Sequence, residues 1–170
     1  CQGRFFKAPD MPPSVLVAAL GPQALKVAGH RTDGTTLAWV GPKTIAAHIK
    51  PRLFEAAAKA GRPEPRILAT LPICVTDNER GIRDLITKNL AFYATLPSYR
   101  AMFEREGISQ PGDLALVGSA AKVEDGLEAL AAAGVSDYAA SAFTTNSIEA
   151  SATADLLRKK LADWGPRGSV

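Results

Sequence analysis

Between Val15 and Trp39 the sequence VLVAALGPQALKVAGHRTDGTTLAW passes from a β-rich run into a helical pattern and, after Asp33-Gly34, into a second β-rich run. Strand, helix and strand in so short a space argue for a parallel α/β sheet with helices packed on it. The first junction, Ala19-Leu20-Gly21-Pro22, also has a chemistry of its own. Gly21 lets a ligand approach the backbone, Pro22 suits the first helical position, and the first-turn N–H groups of the helix point outward without partners. Phosphate, or the phosphate arm of a cofactor, fits such a site. Gly-Pro also serves simply as a bend, and local chemistry leaves both readings open.

The same rhythm continues, giving four βα units in order. Val15 to Leu20 precedes a helix from Pro22 to about His30, and Thr35 to Trp39 precedes a helix from Gly41-Pro42 to about Ala60. Pro51 inside that second helix predicts a kink or two consecutive helices. The third strand spans Arg66 to Val75, with Pro72 arguing for a bulge or a strand end within the run. Thr76 and Glu79 then have the spacing of a capping box. Ile82 to Gly107 reads as two helices parted at Pro97, and Ser119 caps a helix that Gly134 closes near Ala133. The fourth strand is Asp137 to Phe143, followed by a helix from about Ser147 to Trp164 that Gly165 and Pro166 stop ahead of a frayed tail to Val170.

With 170 residues, 46% of them hydrophobic, the chain is long enough for one domain with a sizeable core. Twenty basic against 17 acidic residues leave a net charge of +3 with no basic block, which argues against nucleic acid as a partner. No apolar run approaches the roughly 20 residues of a bilayer helix, so no membrane association is expected. Cys1 and Cys74 are too few for a disulfide framework or a metal cluster, and a reducing cytoplasm fits them. Position 1 is Cys, and Cys-Gln-Gly-Arg-Phe-Phe reads like the middle of a hairpin, so a fragment or a processed chain is expected.

Signatures of dinucleotide, P-loop, zinc-hydrolase, serine-hydrolase and C-x-x-C redox chemistry are absent from the sequence. His30 at a helix end and His48 beside Lys50 and Arg52 read as structural or solvated residues, and Cys74 as a small buried hydrophobe. Trp39 closes the second strand, where it either walls a ring-shaped ligand or caps the core. Val117-Gly118-Ser119 repeats the logic of the first junction and is a second candidate phosphate contact, with N-capping as its simpler role. Phe92, Tyr93, Tyr99 and Phe103 have the spacing of packing aromatics or of an oligomer surface.

Taken in order, Ala18-Ala19-Leu20-Gly21-Pro22, Leu25, Ala28-Gly29, Asp33-Gly34, Trp39, Val117-Gly118-Ser119 and Ala133-Gly134-Val135-Ser136-Asp137 resemble the C-terminal half of a luciferase-like monooxygenase of the deazaflavin-dependent oxidoreductase branch. The resemblance covers nearly the whole chain. It implies a TIM-type (β/α)8 barrel of which residues 1–170, as a single domain, supply the second half, four parallel βα units, with the N-terminal half apparently absent. It further implies an enzyme that moves a hydride between a deazaflavin, coenzyme F420, or alternatively FMN, and a small organic substrate. Ala19, Leu20, Gly21 and Pro22 then line the cofactor, Gly118 and Ser119 are further cofactor contacts, and Ala38 and Trp39 lie on the substrate side. No metal is implied. The family's proton donors belong to the other half, so no catalytic residue is named here.

Two readings from other classes remain beside this one. A barrel half can serve as a noncatalytic binding or assembly subunit, since barrels host many functions. A phosphate-binding isomerase or aldolase would need a catalytic Lys or Glu at a strand end, and none is evident. An open half barrel exposes the edges of Val15 to Leu20 and Asp137 to Phe143, which predicts self-association into a homo-oligomer, or instability, of the isolated chain.

Overall fold

Across residues 12–164, the range that this computed structural model describes, strands and helices alternate from end to end. Cys1 with its hairpin-like opening, and the stop at Gly165 and Pro166 with the tail to Val170, lie outside the described residues. β1 (Leu16–Ala18) leads through Gly21 into α1 (Pro22–Arg31), and β2 (Gly34–Ala38) leads through Gly41 into α2 (Pro42–Thr44). A π-helical turn (Ile45–Ile49) joins α2 to α3 (Lys50–Lys59). β3 (Arg66–Val75) precedes α4 (Glu79–Leu90), a 3-10 segment (Ala91–Thr95) and α5 (Pro97–Glu106). β4 (Leu116–Gly118) opens into α6 (Ala120–Ala133), and β5 (Asp137–Ala142) precedes α7 (Ser147–Trp164).

Every ladder is parallel. β1 lies against β2 with Leu16 opposite Gly34, and β2 lies against β3 from Gly34 opposite Arg66 to Ala38 opposite Thr70. β5 runs along β3 from Leu68 opposite Asp137 to Ile73 opposite Ala142. Because β2 and β5 overlap on residues 68–70 of β3, they occupy its two opposite edges. β4 pairs only with Ile73, Cys74 and Val75. A strand's backbone groups alternate between its edges. Trp39 N–H donates to the Thr70 carbonyl at 3.3 Å and Thr76 N–H to the Gly118 carbonyl at 2.9 Å, so β4 takes up the β2 edge beyond the point where β2 ends.

Pro72 explains that ending. Continuing the β2 register would call next on the N–H of residue 72, which proline lacks. β2 stops at Ala38, and β3 runs on through Pro72 without a bulge. The sequence pattern placed the break in the wrong strand. All four expected strands form, and β4 is a fifth, three residues long and too short to display a period. Around Pro51 the expected pair of consecutive helices takes the form of α2 and α3 joined without a break. The backbone stays helical across 42–59, and the π turn, in which Lys50 N–H donates to the Ile45 carbonyl, lies just ahead of the proline.

The two faces of the sheet differ. Thr35, Leu37, Ile67 and Ala69 are buried, and Leu37, Ile67 and Ala69 belong to one core cluster with Leu25, Ile45, Ile49, Leu53 and Leu130 from the helices. Their strand neighbours Thr36, Ala38, Leu68 and Thr70 are only half-buried, so one face is covered by helices and the other is open. That one-sided cover is the arrangement of a barrel segment with its outer ring of helices. Among the described residues β1 pairs only with β2, and β5 and β4 only with β3, so β1 and β5 leave the edges expected of them and β4 leaves a third.

α1 meets α3 at Gly29, where a Cβ would fall 2.6 Å from the Leu53 carbonyl oxygen and 2.7 Å from the Ala56 Cβ. No side chain fits without forcing the helices apart. Gly29→Val is therefore expected to cost about 2 kcal/mol or more of stability, read as a lowered urea midpoint at unchanged m-value.

Candidate cofactor site at the strand carboxyl ends

Parallel strands deliver their carboxyl ends to one side of the sheet, and every candidate site residue lies there. Ala19 is buried, Leu20 is half-buried, and Gly21 and Pro22 are exposed at the start of α1. Gly21 is the N-cap and has no side chain with which to cap, so the first-turn N–H groups of Gln23 and Ala24 are left open, and the first turn carries no acidic residue. A Cβ built on Gly21 meets nothing within 4 Å. A 10-residue helix with an uncapped N-terminus on an exposed glycine suits an anionic group.

Ala38 and Trp39 sit on the neighbouring strand. Ala38 lies on the open face with Thr36 and Thr70, among small side chains that leave room above the sheet. Trp39 adopts φ 57°, the one positive φ among the described non-glycine residues, a conformation that costs a bulky residue about 1–2 kcal/mol. Its ring is 7% exposed and lies 5.4 Å from that of Tyr93, centroid to centroid, which in turn meets Tyr99 edge-on at 5.0 Å. Trp39 thus caps the core in this structure. Its buried Nε1–H has no hydrogen-bond partner. Of the aromatic group, Phe103 is buried, Tyr93 and Tyr99 are half-buried, and Phe92 stays 67% exposed.

Gly118 and Ser119 stand apart from this pair. Gly118 ends β4, and Ser119, the N-cap of α6, borders a separate cleft of about 430 Å³ whose walls include Thr76, Asn78, Asn146 and Glu149. Ser119 Oγ accepts from Lys122 N–H at 3.3 Å, the simple capping role. The structure brings Ala19 to Pro22 together with Ala38 and Trp39 on adjacent strands, and leaves Gly118 and Ser119 at the β3–β4 end.

The expected capping box at Thr76 and Glu79 does not form. α4 starts later, at Glu79, with Asn78 as N-cap accepting from Gly81 N–H at 3.1 Å. Thr76 Oγ1 instead accepts from Asn78 N–H and donates to Glu149 at 2.8 Å. Glu79 binds Arg83 and Lys122, and these two cations hold its carboxyl below the usual range. The i,i+4 spacing of Glu79 and Arg83 is visible in the sequence, whereas Lys122 comes from α6.

Two glutamates fasten loops at this end of the sheet, and sequence reasoning missed both. Glu106 of α5 accepts from Lys43 N–H at 3.2 Å and Thr44 N–H at 2.8 Å. A Cβ at Gly41 would fall 2.3 Å from that carboxyl carbon, so any larger residue there has to displace the Glu106 carboxylate. Glu149 accepts from the N–H and hydroxyl of Thr145 at 2.7 and 2.8 Å, and from Thr76. His48 is buried with Nε2 3.0 Å from the Leu20 carbonyl, in line with its structural reading, and His30 is half-buried in the last turn of α1. Burial pushes the Cys74 thiol up to about 11, so it is inert as a nucleophile. Among the described residues no helix is long and apolar enough to cross a membrane, and no cluster suits a metal ion.

The profile of the family described as luciferase-like monooxygenase matches residues 2–163. The chain belongs to this family. No match is found among curated protein sequences. Among solved structures, the coenzyme F420-dependent tetrahydromethanopterin reductase from Methanopyrus kandleri superposes with a TM-score of 0.67 at 20% identity, over 86% of this chain and 49% of that one. An F420-dependent secondary alcohol dehydrogenase in complex with an F420-acetone adduct gives 0.67 at 15% identity, over 95% of this chain and 54% of that one. The oxygenating constituent of 3,6-diketocamphane monooxygenase of Pseudomonas putida, a type II Baeyer-Villiger enzyme in complex with FMN, gives 0.66 at 18% identity, over 89% and 49%. These likenesses establish the fold, a partial (β/α) barrel. The chain spans about half the length of the structures it matches.

Glu149 yields a test of the loop clamp. Its carboxyl is held low by the Thr145 N–H first and the Thr76 hydroxyl next, so the folded state favours the ionised form. A depressed folded pKa contributes stability above the unfolded value, about 4.3, and that contribution is lost as pH falls through the folded value. Glu149→Gln should therefore melt lower than the parent at pH 7, and the gap should narrow steadily below pH 4 in thermal scans.

Proposed function

We propose that this chain forms the cofactor-cradle half of a deazaflavin-dependent oxidoreductase, with the hydride passing between coenzyme F420 and a small organic substrate. The observation that carries the reading is the uncapped, unobstructed start of α1 after Leu20-Gly21-Pro22. Membership of the family supports it, as do the two superposing F420-dependent enzymes. FMN is the alternative cofactor, favoured by the Pseudomonas putida structure bound to it.

Bound at the strand carboxyl ends, the tricyclic ring supplies the hydride chemistry, and the protein's share is binding and orientation. The open N–H groups of Gln23 and Ala24 are the donors for the anionic arm. Ala19 and Leu20 line the cradle beside them. Ala38 keeps the open face shallow beside β1, on the side assigned to substrate, and the fixed Trp39 ring bounds it. Ser119 is a weaker contact, because its hydroxyl already caps α6. The residues that exchange protons with substrate lie outside the described site, and the second reading, a noncatalytic binding subunit, differs only in lacking them.

Fluorescence titration of the protein with F420 and with FMN tests the cradle, with saturable binding of F420 as the expected result and no binding of either as the defeating one. Gly21→Asp sharpens the test. Gly21 has φ −83°, which any residue adopts, and Asp is the better N-cap, so the variant should fold at least as stably. Its carboxylate would stand where the anion sits, and affinity should fall at least tenfold.

A further inference from the structure

His48 reaches the cradle from the helix layer. It lies in the π-helical turn Ile45–Ile49, on the same buried side as Ile45 and Ile49, and is 3% exposed. Its Nε2 lies 3.0 Å from the carbonyl oxygen of Leu20, 28 residues away in sequence. A carbonyl only accepts, so Nε2 carries the hydrogen. Nδ1 is then the acceptor of a neutral ring, and it is buried with no partner. A second proton would place an unsatisfied N–H there and a charge facing two others, Arg52 of α3 and Arg105 of α5. Arg52 itself donates to the His48 carbonyl at 3.0 Å. Burial and these two cations hold the imidazole below its usual pKa, so the donating tautomer persists at neutral pH.

The peptide between Leu20 and Gly21 is trans, so its N–H points opposite to its carbonyl. With the carbonyl drawn toward His48, the Gly21 N–H faces away from that contact, and it has no partner among the described backbone and side-chain hydrogen bonds. Gly21 is also exposed, with open space at its Cβ position. We infer that His48 is a positioning residue: its Nε2–H fixes the Leu20–Gly21 peptide so that the Gly21 N–H joins those of Gln23 and Ala24 as a third donor to the anionic arm of the cofactor. The inference rests on the junction being the cofactor cradle, and the experiment separates the two.

Three variants carry the test. His48→Phe keeps the ring volume without a donor, His48→Gln keeps a donor at the Nε2 distance, and His48→Asn is too short for it. In cofactor-free protein the Gly21 amide resonance is followed by 15N NMR, with its hydrogen exchange and its response to inorganic phosphate, and F420 affinity is then measured by fluorescence. The expected result for His48→Phe and His48→Asn is a displaced Gly21 amide, a phosphate response at Gly21 reduced at least threefold, and F420 affinity reduced at least tenfold. His48→Gln should stay within about threefold of the parent. Should His48→Phe fail to fold, the Gln and Asn pair decides by the same readouts. If the parent binds neither F420 nor FMN, the cradle reading falls. The Gly21 amide and its phosphate response then still decide whether His48 sets that peptide. An unchanged Gly21 amide and unchanged phosphate response in the donorless variants overturns the inference, as does F420 affinity in His48→Asn equal to that in His48→Gln.

Discussion

Three strands depend on the backbone of β3. Its first residues hold β2, its middle and later residues hold β5 on the opposite edge, and its last three hold β4. A strand of 10 residues can do this only because its hydrogen-bonding groups alternate between edges and its neighbours are staggered along it. Pro72 sets the stagger by withholding the N–H that β2 would use next. The vacated edge is taken up by β4. On the other edge, beyond the last residue of β5, Val75 N–H donates to the Thr153 hydroxyl of α7 at 2.9 Å. Strand order, the position of α7 and the place where β2 turns away follow from this one segment.

The turn-away point is also where backbone strain collects. Trp39 stands at the first position past β2 with a left-handed backbone, and its ring is fixed by Tyr93. Strain of that kind persists only where surrounding contacts over-determine it. Here they come from three directions: the Thr70 carbonyl below, the Tyr93 ring beside, and the Gly41 segment that Glu106 secures through the N–H groups of Lys43 and Thr44. Glu149 and Thr76 do the same for the loops after β5 and β3. The carboxyl-end loops are therefore held largely by backbone N–H groups, with two threonine hydroxyls, donating to the carboxylates of Glu106 and Glu149, and bonds to a charged acceptor are stronger than neutral ones and costly to break. A rigid rim of this kind is what a site for an oriented cofactor needs.

The family assignment and the fold agree on a partial barrel, and fold alone leaves function open. The helix starts of this chain are not alike. Asn78 and Ser119 cap α4 and α6 with their own side chains, whereas α1 begins on a glycine with nothing in front of it. The one uncapped start among these three is also the one beside the open face of the sheet. That contrast is local and chemical, and it favours β1 and β2 over β4 as the place of the proposed cradle.

The sequence alone determined the succession of elements apart from β4. β-Branched and apolar runs bounded by Gly and Pro mark strands and helix starts through local backbone preferences, which act over a few residues and need no partner. Gly21-Pro22, Gly41-Pro42, Ser119 and Gly134 were legible for that reason, and so were the strand ends carrying Ala38 and Trp39. Contacts across long separations were not legible. His48 reaches Leu20, Glu106 reaches Thr44 and Glu149 reaches Thr76 only once the sheet has brought their elements together. β4 is a strand because β3 offers it an edge, and Thr76 gave up its cap to Glu149 because a buried carboxylate needs donors more than a helix start does when Asn78 stands ready. Tertiary structure decided these, since each depends on which groups share a buried space, and no local pattern encodes that.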